Sequence, residues 1–163
     1  MPPSTTLIAV SSADDRRVAE ARKLLLEYAE SLDVDLSFQN FDQELSSFPE
    51  SYLPPTGALL IATRNEELAG SIAMRGIDSR VCEMKRLYVC PEFRGLGVGR
   101  ELAVAIIDAA KGKGYQNMRL DTLPGMDDAQ RLYRNLGFRE IAAYYENPVP
   151  GTRYLELDLK LPT

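Results

Sequence analysis

A chain of 163 residues, 45% hydrophobic and 26% charged, has the length and composition of an ordinary globular protein, so residues 1–163 are expected to form one domain. Its 24 acidic against 19 basic side chains leave a formal charge of −5, which argues against a nucleic-acid or anionic-membrane partner and mildly favours cationic ligands. No apolar run approaches the ~20 residues of a membrane span, and Met1-Pro2-Pro3-Ser4-Thr5-Thr6 lacks the basic and apolar regions of a signal peptide. A cytoplasmic protein is therefore expected. The sequence contains no histidine. That excludes Ser-His-Asp and Cys-His catalysis, HExxH metalloproteases and histidine-bound metal centres, and leaves proton chemistry to carboxylate, tyrosine, lysine, cysteine or water.

In chain order, Leu7 to Val10 reads as a short strand, and Ser12 with Asp15 as a capping-box-like helix start. Val18, Ala21, Leu25, Tyr28, Ala29 and Leu32 follow at helical spacing. Residues 36–48 suggest a short helix with irregular flanks before the Pro54-Pro55-Thr56-Gly57 break. Ala58 to Thr63 and Leu68 to Arg75 read as an antiparallel pair joined by a turn at Asn65-Glu66-Glu67, and Val81 to Val89 as a further strand. A helix then runs from Gly97 to the stop at Gly112 and Gly114. Met118 to Thr122 is a strand, and the helix opened by Asp127 or Asp128 is closed by Gly137. Phe138 to Ala142 and Thr152 to Leu159 complete the chain as strands. The order predicts a mixed sheet covered by helices. Cys82 and Cys90, eight residues apart on one strand segment, would stand roughly 26 Å from each other. They cannot bridge, are too few for a zinc site, and are expected to be buried thiols.

The segment Leu87-Tyr88-Val89-Cys90-Pro91-Glu92-Phe93-Arg94-Gly95-Leu96-Gly97-Val98-Gly99-Arg100 ends a strand, passes three alternating glycines and starts a helix. Backbone N–H groups at such a place can converge without a Cβ in the way, and the helix dipole adds positive potential. The arrangement suits a pyrophosphate. A P-loop would need Gly-Lys-Ser/Thr where Gly97-Val98-Gly99 stands, and a dinucleotide fingerprint would need glycine at Arg100. A glycine-rich helix start without any ligand is the structural alternative.

These residues resemble the GNAT acyltransferase superfamily, whose cofactor motif Arg/Gln-x-x-Gly-x-Gly/Ala is met by Arg94, Gly97 and Gly99. A second block, Ala129-Gln130-Arg131-Leu132-Tyr133-Arg134-Asn135-Leu136-Gly137-Phe138, is similar to the family's Ala-x-x-Leu-Tyr-x-x-x-Gly-Phe. The resemblance runs from about Val81 to Phe138, and the strand order fits over nearly the whole chain. It implies an α/β fold with a central, mostly antiparallel twisted sheet of about six to seven strands and about four helices. It also implies acetyl-CoA as acyl donor, no metal, an amine acceptor and a possible homodimer. Leu87, Tyr88 and Val89 would meet the pantetheine arm at a splayed strand, and the amides of Gly95, Leu96, Gly97, Val98, Gly99 and Arg100 would bind the pyrophosphate. Met126 departs from the pattern, standing where the family often has an asparagine that reaches the cofactor.

Acetyl transfer requires deprotonation of the amine, donors for the developing oxyanion, and stabilisation of the departing thiolate. The resemblance assigns the oxyanion donor to a backbone N–H near Val89 and the thiol-side donor to Tyr133. Read from its helix face alone, Tyr133 is a core tyrosine. Glu83, eleven residues before Arg94, matches the position of a glutamate base in several family members. Its structural alternative is a strand glutamate paired with Lys85, Arg86 or a neighbouring strand, and Asp121 is the reserve base. The segments Leu36 to Phe48 and Tyr144 to Arg153 are expected to shape the acceptor pocket, with Phe38, Phe41, Tyr144, Tyr145 and Asn147 as an aromatic wall or as satellite core. An acyl-CoA-binding module without turnover is the alternative function, and a different nucleotide-binding enzyme is the third.

Overall fold

The computed structural model describes residues 4–32 and 40–160; Phe38 lies outside them. The chain runs β1 (Thr5–Ala9), α1 (Val18–Ser31), α2 (Phe41–Ser47), β2 (Ala58–Arg64), β3 (Glu67–Gly76), β4 (Val81–Val89), α3 (Val98–Gly112), β5 (Asn117–Thr122), α4 (Asp127–Asn135), β6 (Arg139–Ile141) and β7 (Arg153–Asp158). This is the predicted order of elements. The seven strands form one sheet in the order β1-β2-β3-β4-β5-β7-β6. Only β4 and β5 pair in parallel, with α3 as their crossover.

Local chemistry accounts for the frame. Asn65 and Glu66 both take left-handed φ (51° and 67°), the two-residue turn that matches hairpin twist, so Glu67 already pairs with Arg64. In β3 every residue from Ala69 to Met74 is buried, as a strand covered on both faces requires. Helix α1 starts later than Ser12 suggests: Asp15 Oδ1 accepts from the Arg17 amide at 2.9 Å, and this turn leads into Val18. Helix α3 buries Val98, Leu102, Ala103, Ile106, Ile107 and Ala110, one face at helical spacing.

Two cores result. Met74, Leu102, Ile106, Met118 and Tyr133 pack between the sheet and α3 with α4, whereas Leu24, Leu25, Phe41, Ile61 and Tyr88 pack on the face bearing α1 and α2. Phe41, a candidate for the pocket's aromatic wall, belongs to this second core. Cys82 and Cys90 are free and buried, one in each core.

Strand β4 changes phase midway. Its residues pair Glu83 with Arg75, Met84 with Met74 and Lys85 with Ala73, but then Tyr88 with Ser71, so Arg86 and Leu87 stand opposite Ile72 alone. Arg86 carries the bulge at φ 61°. Before it, Cys82 and Met84 point to the α3 core; after it, Tyr88 and Cys90 point to the α1 core. Arg86 itself is buried and meets Glu44 of α2 in a two-pronged contact, Nη2 to Oε1 at 2.8 Å and Nε to Oε2 at 3.2 Å. The Tyr28 and Phe41 rings flank its guanidinium at 5.9 and 5.5 Å.

Burial alone would raise the Glu44 pKa, but the hydrogen bonds and charge of Arg86 outweigh it and hold the carboxyl below its ordinary value. A depressed folded pKa stabilises above the unfolded value of about 4.3, and that stability is lost as pH falls through the folded pKa. Glu44→Gln should therefore cost about 3 kcal/mol at neutral pH, and the gap to wild type should close in acid. Thermal melts from pH 7 to 2.5 check this; a gap independent of pH would show that the pair's charge contributes nothing.

Candidate active site

Two cavities flank β4. Strands β4 and β5 pair only from Val81–Glu83 to Asn117–Arg119, and then diverge. A cavity of about 270 Å³ fills the split, lined by Leu87, Tyr88 and Val89 of β4, Leu120 and Asp121 of β5, and Tyr133 of α4. The second cavity, about 540 Å³, opens on the α2 side among Glu44, Tyr52, Arg75, Glu83, Tyr144 and Tyr145. Lys85 borders both.

Backbone groups face the split. The Cys90 N–H donates to Ala69 O of β3 at 2.8 Å, so strand alternation directs the Val89 N–H and C=O to the opposite edge. There Arg94 Nε donates to Val89 O at 3.0 Å, while its guanidinium lies over the Tyr88 ring at 5.9 Å.

The turn beyond it presents backbone to solvent. Gly95 and Gly97 take φ of 81° and 85°, and a Cβ built on either would meet nothing within 4 Å. Both are glycine because the left-handed conformation strains any side chain. Gly99 differs: a Cβ there would touch Val89 Cγ2 at 3.5 Å and Leu132 Cδ2 at 3.8 Å, so it sets how closely α3 packs on β4 and α4. The first intrahelical amide bond of α3 runs from Glu101 N to Gly97 O, and no side chain caps the helix. The amides of Val98, Gly99 and Arg100 thus remain open at the positive end of a fifteen-residue helix. Leu96 and Arg100 project outward, while Val98 anchors the start in the core.

Glu83 lies in the other cavity's wall. It is 2% exposed; Arg75 Nε donates to its Oε1 at 2.9 Å and the Tyr144 hydroxyl to its Oε2 at 2.7 Å. Of the partners expected from sequence, Lys85 stands at 3.9 Å, the neighbouring strand supplies Arg75, and Arg86 goes to Glu44 instead. Asp121, which lines the first cavity, accepts from the Tyr145 hydroxyl at 2.6 Å. Asn147 braces this loop, donating to the Tyr145 oxygen at 3.1 Å and accepting the Val149 amide at 2.9 Å. Tyr144, Tyr145 and Tyr154 meet edge to face.

Tyr133 is both a core and a cavity residue. Its ring packs edge-on against Phe138 at 5.8 Å, and among the described residues its hydroxyl has no hydrogen-bond partner. Burial raises its pKa, so it stays a donor near neutrality. Burial also pushes Cys82 up to about 12 and Cys90 up to about 11, which removes both as thiolate nucleophiles. Met126 turns inward at the start of α4, its sulfur 3.9 Å from Thr122 Oγ1. Among the described residues no three Cys, Asp or Glu side chains are grouped to hold a metal ion, and no helix is long and apolar enough to cross a membrane.

The sequence pattern described as Acetyltransferase (GNAT) family matches residues 19–138. The chain belongs to that family. An uncharacterized N-acetyltransferase of Schizosaccharomyces pombe is 38% identical over 160 residues, covering 97% of both chains. One from Dictyostelium discoideum is 31% identical, covering 88% of this chain and 95% of its own. Among solved structures, a GNAT-family acetyltransferase of Staphylococcus aureus superposes with a TM-score of 0.77 at 22% identity, over 96% of this chain and 99% of that one. A GNAT acetyltransferase of Elizabethkingia anophelis, solved with acetyl-CoA bound, gives 0.67 at 23% identity over 94% and 97%. This GNAT protein is accordingly an acyltransferase with the seven-stranded mixed sheet of its structural neighbours.

The sequence-predicted candidates Glu83 and Tyr133 stand apart in the fold: one lines the α2-side cavity, the other the β4–β5 split. Arg75, which the β3–β4 register sets opposite Glu83, and the grip of Tyr144 on the same carboxylate were not predicted. Tyr144→Phe removes a hydrogen bond to a buried, charged acceptor and should cost about 2 kcal/mol. Urea unfolding at neutral pH measures this; a loss under about 0.5 kcal/mol would mean that Arg75 alone suffices for Glu83.

Proposed function

We propose that this GNAT protein, acting as a single domain, moves the acetyl group of acetyl-CoA to a primary amine of a small molecule or peptide by direct attack on the thioester. The observation that carries this reading is the uncapped start of α3 beside the open β4–β5 split. The amides from Gly95 to Arg100 form a cradle for a pyrophosphate, with Arg94 at its edge. The split offers a slot lined by Leu87, Tyr88 and Val89 for a pantetheine arm, and its residues fit that group. Acetyl-CoA supplies an activated acyl thioester.

The residues divide the work. Val89 directs its N–H into the split, where it stabilises the carbonyl oxygen as charge develops. Tyr133 donates its hydroxyl proton to the departing sulfur. Glu83, held in place by Arg75 and Tyr144, takes the ammonium proton directly or through water; Asp121 is the second candidate. With no histidine and both thiols held protonated, a direct transfer needs nothing further from the chain.

Thermal melting with CoA, acetyl-CoA, ATP and NAD at about a hundred times Kd should show a stabilisation of about 2.7 kcal/mol with the CoA compounds alone. Gly97→Glu should abolish it while leaving the fold. Tyr133→Phe should melt within about 0.5 kcal/mol of wild type, since its hydroxyl has no protein partner, yet lose on the order of 10²-fold in kcat. A stronger response to ATP or NAD would overturn the cofactor assignment. Retained CoA binding without thiol release from any amine would favour an acyl-CoA-sensing module.

A further inference from the structure

Lys85 is a buried cation whose ion pair, to Glu83, is a long one. Its side chain is 10% exposed, and its ammonium stands 3.9 Å from Glu83 Oε1, beyond hydrogen-bond reach. Among the described residues Nζ makes no hydrogen bond, although an ammonium has three donors. Glu83 does not serve it fully because it stands too far away; Arg75 and Tyr144 take one lone pair on each of its oxygens and leave the others open. Glu44, the other carboxylate lining this cavity, is gripped on both oxygens by Arg86. Asp121 lines the first cavity and is bound by Tyr145.

The α2-side cavity is lined by two cations, Arg75 and Lys85, and two carboxylates, Glu44 and Glu83, and of these four Lys85 alone has no hydrogen bond among the described residues. Burial and the neighbouring Arg86 charge pull the Lys85 pKa below the ordinary lysine range, against the attraction of Glu83 and Asp121. A buried ammonium whose donors are unfilled is costly, and an incoming anion fills them. Arg75 adds to the attraction: its Nε is bound to Glu83, its guanidinium has further donors, and its side chain is half exposed at the same cavity.

We propose that the acceptor is an amine that carries a carboxylate close to its amino group, as a free amino acid does, with Lys85 and Arg75 binding the carboxylate. The proposal rests on the transferase reading above and names its substrate class. The alternation Arg75–Glu83–Lys85 complements a zwitterion: the two cations take the carboxylate, and Glu83 between them takes the ammonium. Lys85 also borders the β4–β5 split, so an acceptor held there has its amine at the seam between the two cavities. Tyr144 and Tyr145 offer aromatic surface to the rest of the acceptor. Polyamines and lysine side chains within proteins lack the group that Lys85 requires.

The test uses matched pairs, each an L-amino acid and the amine obtained by its decarboxylation, with spermidine and a lysine-containing peptide alongside. Thermal shift in saturating CoA reads binding, and thiol release from acetyl-CoA reads turnover. At least one acid should shift the midpoint where its amine does not, and exceed that amine by about 30-fold in kcat/KM, the size of a hydrogen bond to a charged group. In Lys85→Met that ratio should fall towards one, mainly through KM. Preference for spermidine, the peptide or the decarboxylated amines overturns the proposal and leaves the transferase reading intact. So does an acid preference that survives Lys85→Met. Absence of turnover with every amine defeats the transferase reading instead; the thermal-shift arm then decides the carboxylate site, which an equal response to acid and amine overturns.

Discussion

The early end of hydrogen bonding between β4 and β5 is the constraint on which the site depends. A parallel pair inside a sheet ordinarily satisfies its backbone along its whole length. Here it stops after Glu83 and Arg119, although β4 continues to Val89 and β5 to Thr122. The edges left unpaired face a cavity, and unpaired backbone groups there are costly unless something meets them. Arg94 meets the Val89 carbonyl from the chain itself. The N–H of the same residue points into the same split. The bulge at Arg86 is coupled to the split, since the extra residue bends and twists β4 at the point where it leaves its neighbour. Its left-handed backbone is strained for arginine, and the contact with Glu44 under the Tyr28 and Phe41 rings holds it. Helix α2, which adds little to the core beyond Phe41, thereby becomes both the clamp on the bulge and one wall of the α2-side cavity.

Much of this was legible in the sequence wherever a local rule decides the outcome. Strand and helix periodicities gave the order of elements, because each amphipathic stretch has one face to bury. The glycines at 95 and 97 were readable as backbone positions since no other residue takes their φ without strain. What escaped was non-local. Whether Glu83 meets Arg75 depends on the β3–β4 register, which a loop of four residues sets through geometry that residue type does not encode. The phase change at Arg86 is hidden for the same reason: nothing in Met84-Lys85-Arg86-Leu87 signals an inserted residue, yet it sends Lys85 and Arg86 to the same face of the sheet. Phe41 was ambiguous because an aromatic beside a predicted pocket and an aromatic beneath it have the same local pattern; the structure places it in the core.

Once Lys85 and Arg86 share a face, the electrostatics of the acceptor side follow. Two adjacent cations on one side of a strand repel, and each draws on a carboxylate from another element. Arg86 obtains Glu44 in full, while Glu83 is divided among Arg75, Tyr144 and, at longer range, Lys85. Lys85, with its donors unfilled, thus stands at the boundary of the two cavities, where the proposed reaction would bring donor and acceptor together. A wholly apolar core would be more stable at that point. An ammonium with open donors is instead kept there, at a cost in stability.

The absence of histidine gives the tyrosines their part. Burial raises the pKa of Tyr133, Tyr144 and Tyr145 alike, and nearby carboxylates add to the effect. Each is thus fixed as a hydroxyl donor over the physiological range, unable to switch as an imidazole would. Donation falls to phenols and backbone amides, and acceptance falls to Glu83 and Asp121. Tyr144 and Tyr145 spend their protons on those two carboxylates, which keeps them aimed. Tyr133 is the one whose donor is not spent on the protein, and it faces the split where a thiolate would form. In the proposed reaction a single residue type serves positioning in one cavity and proton delivery in the other, and the difference lies in whether a carboxylate stands within reach of the hydroxyl.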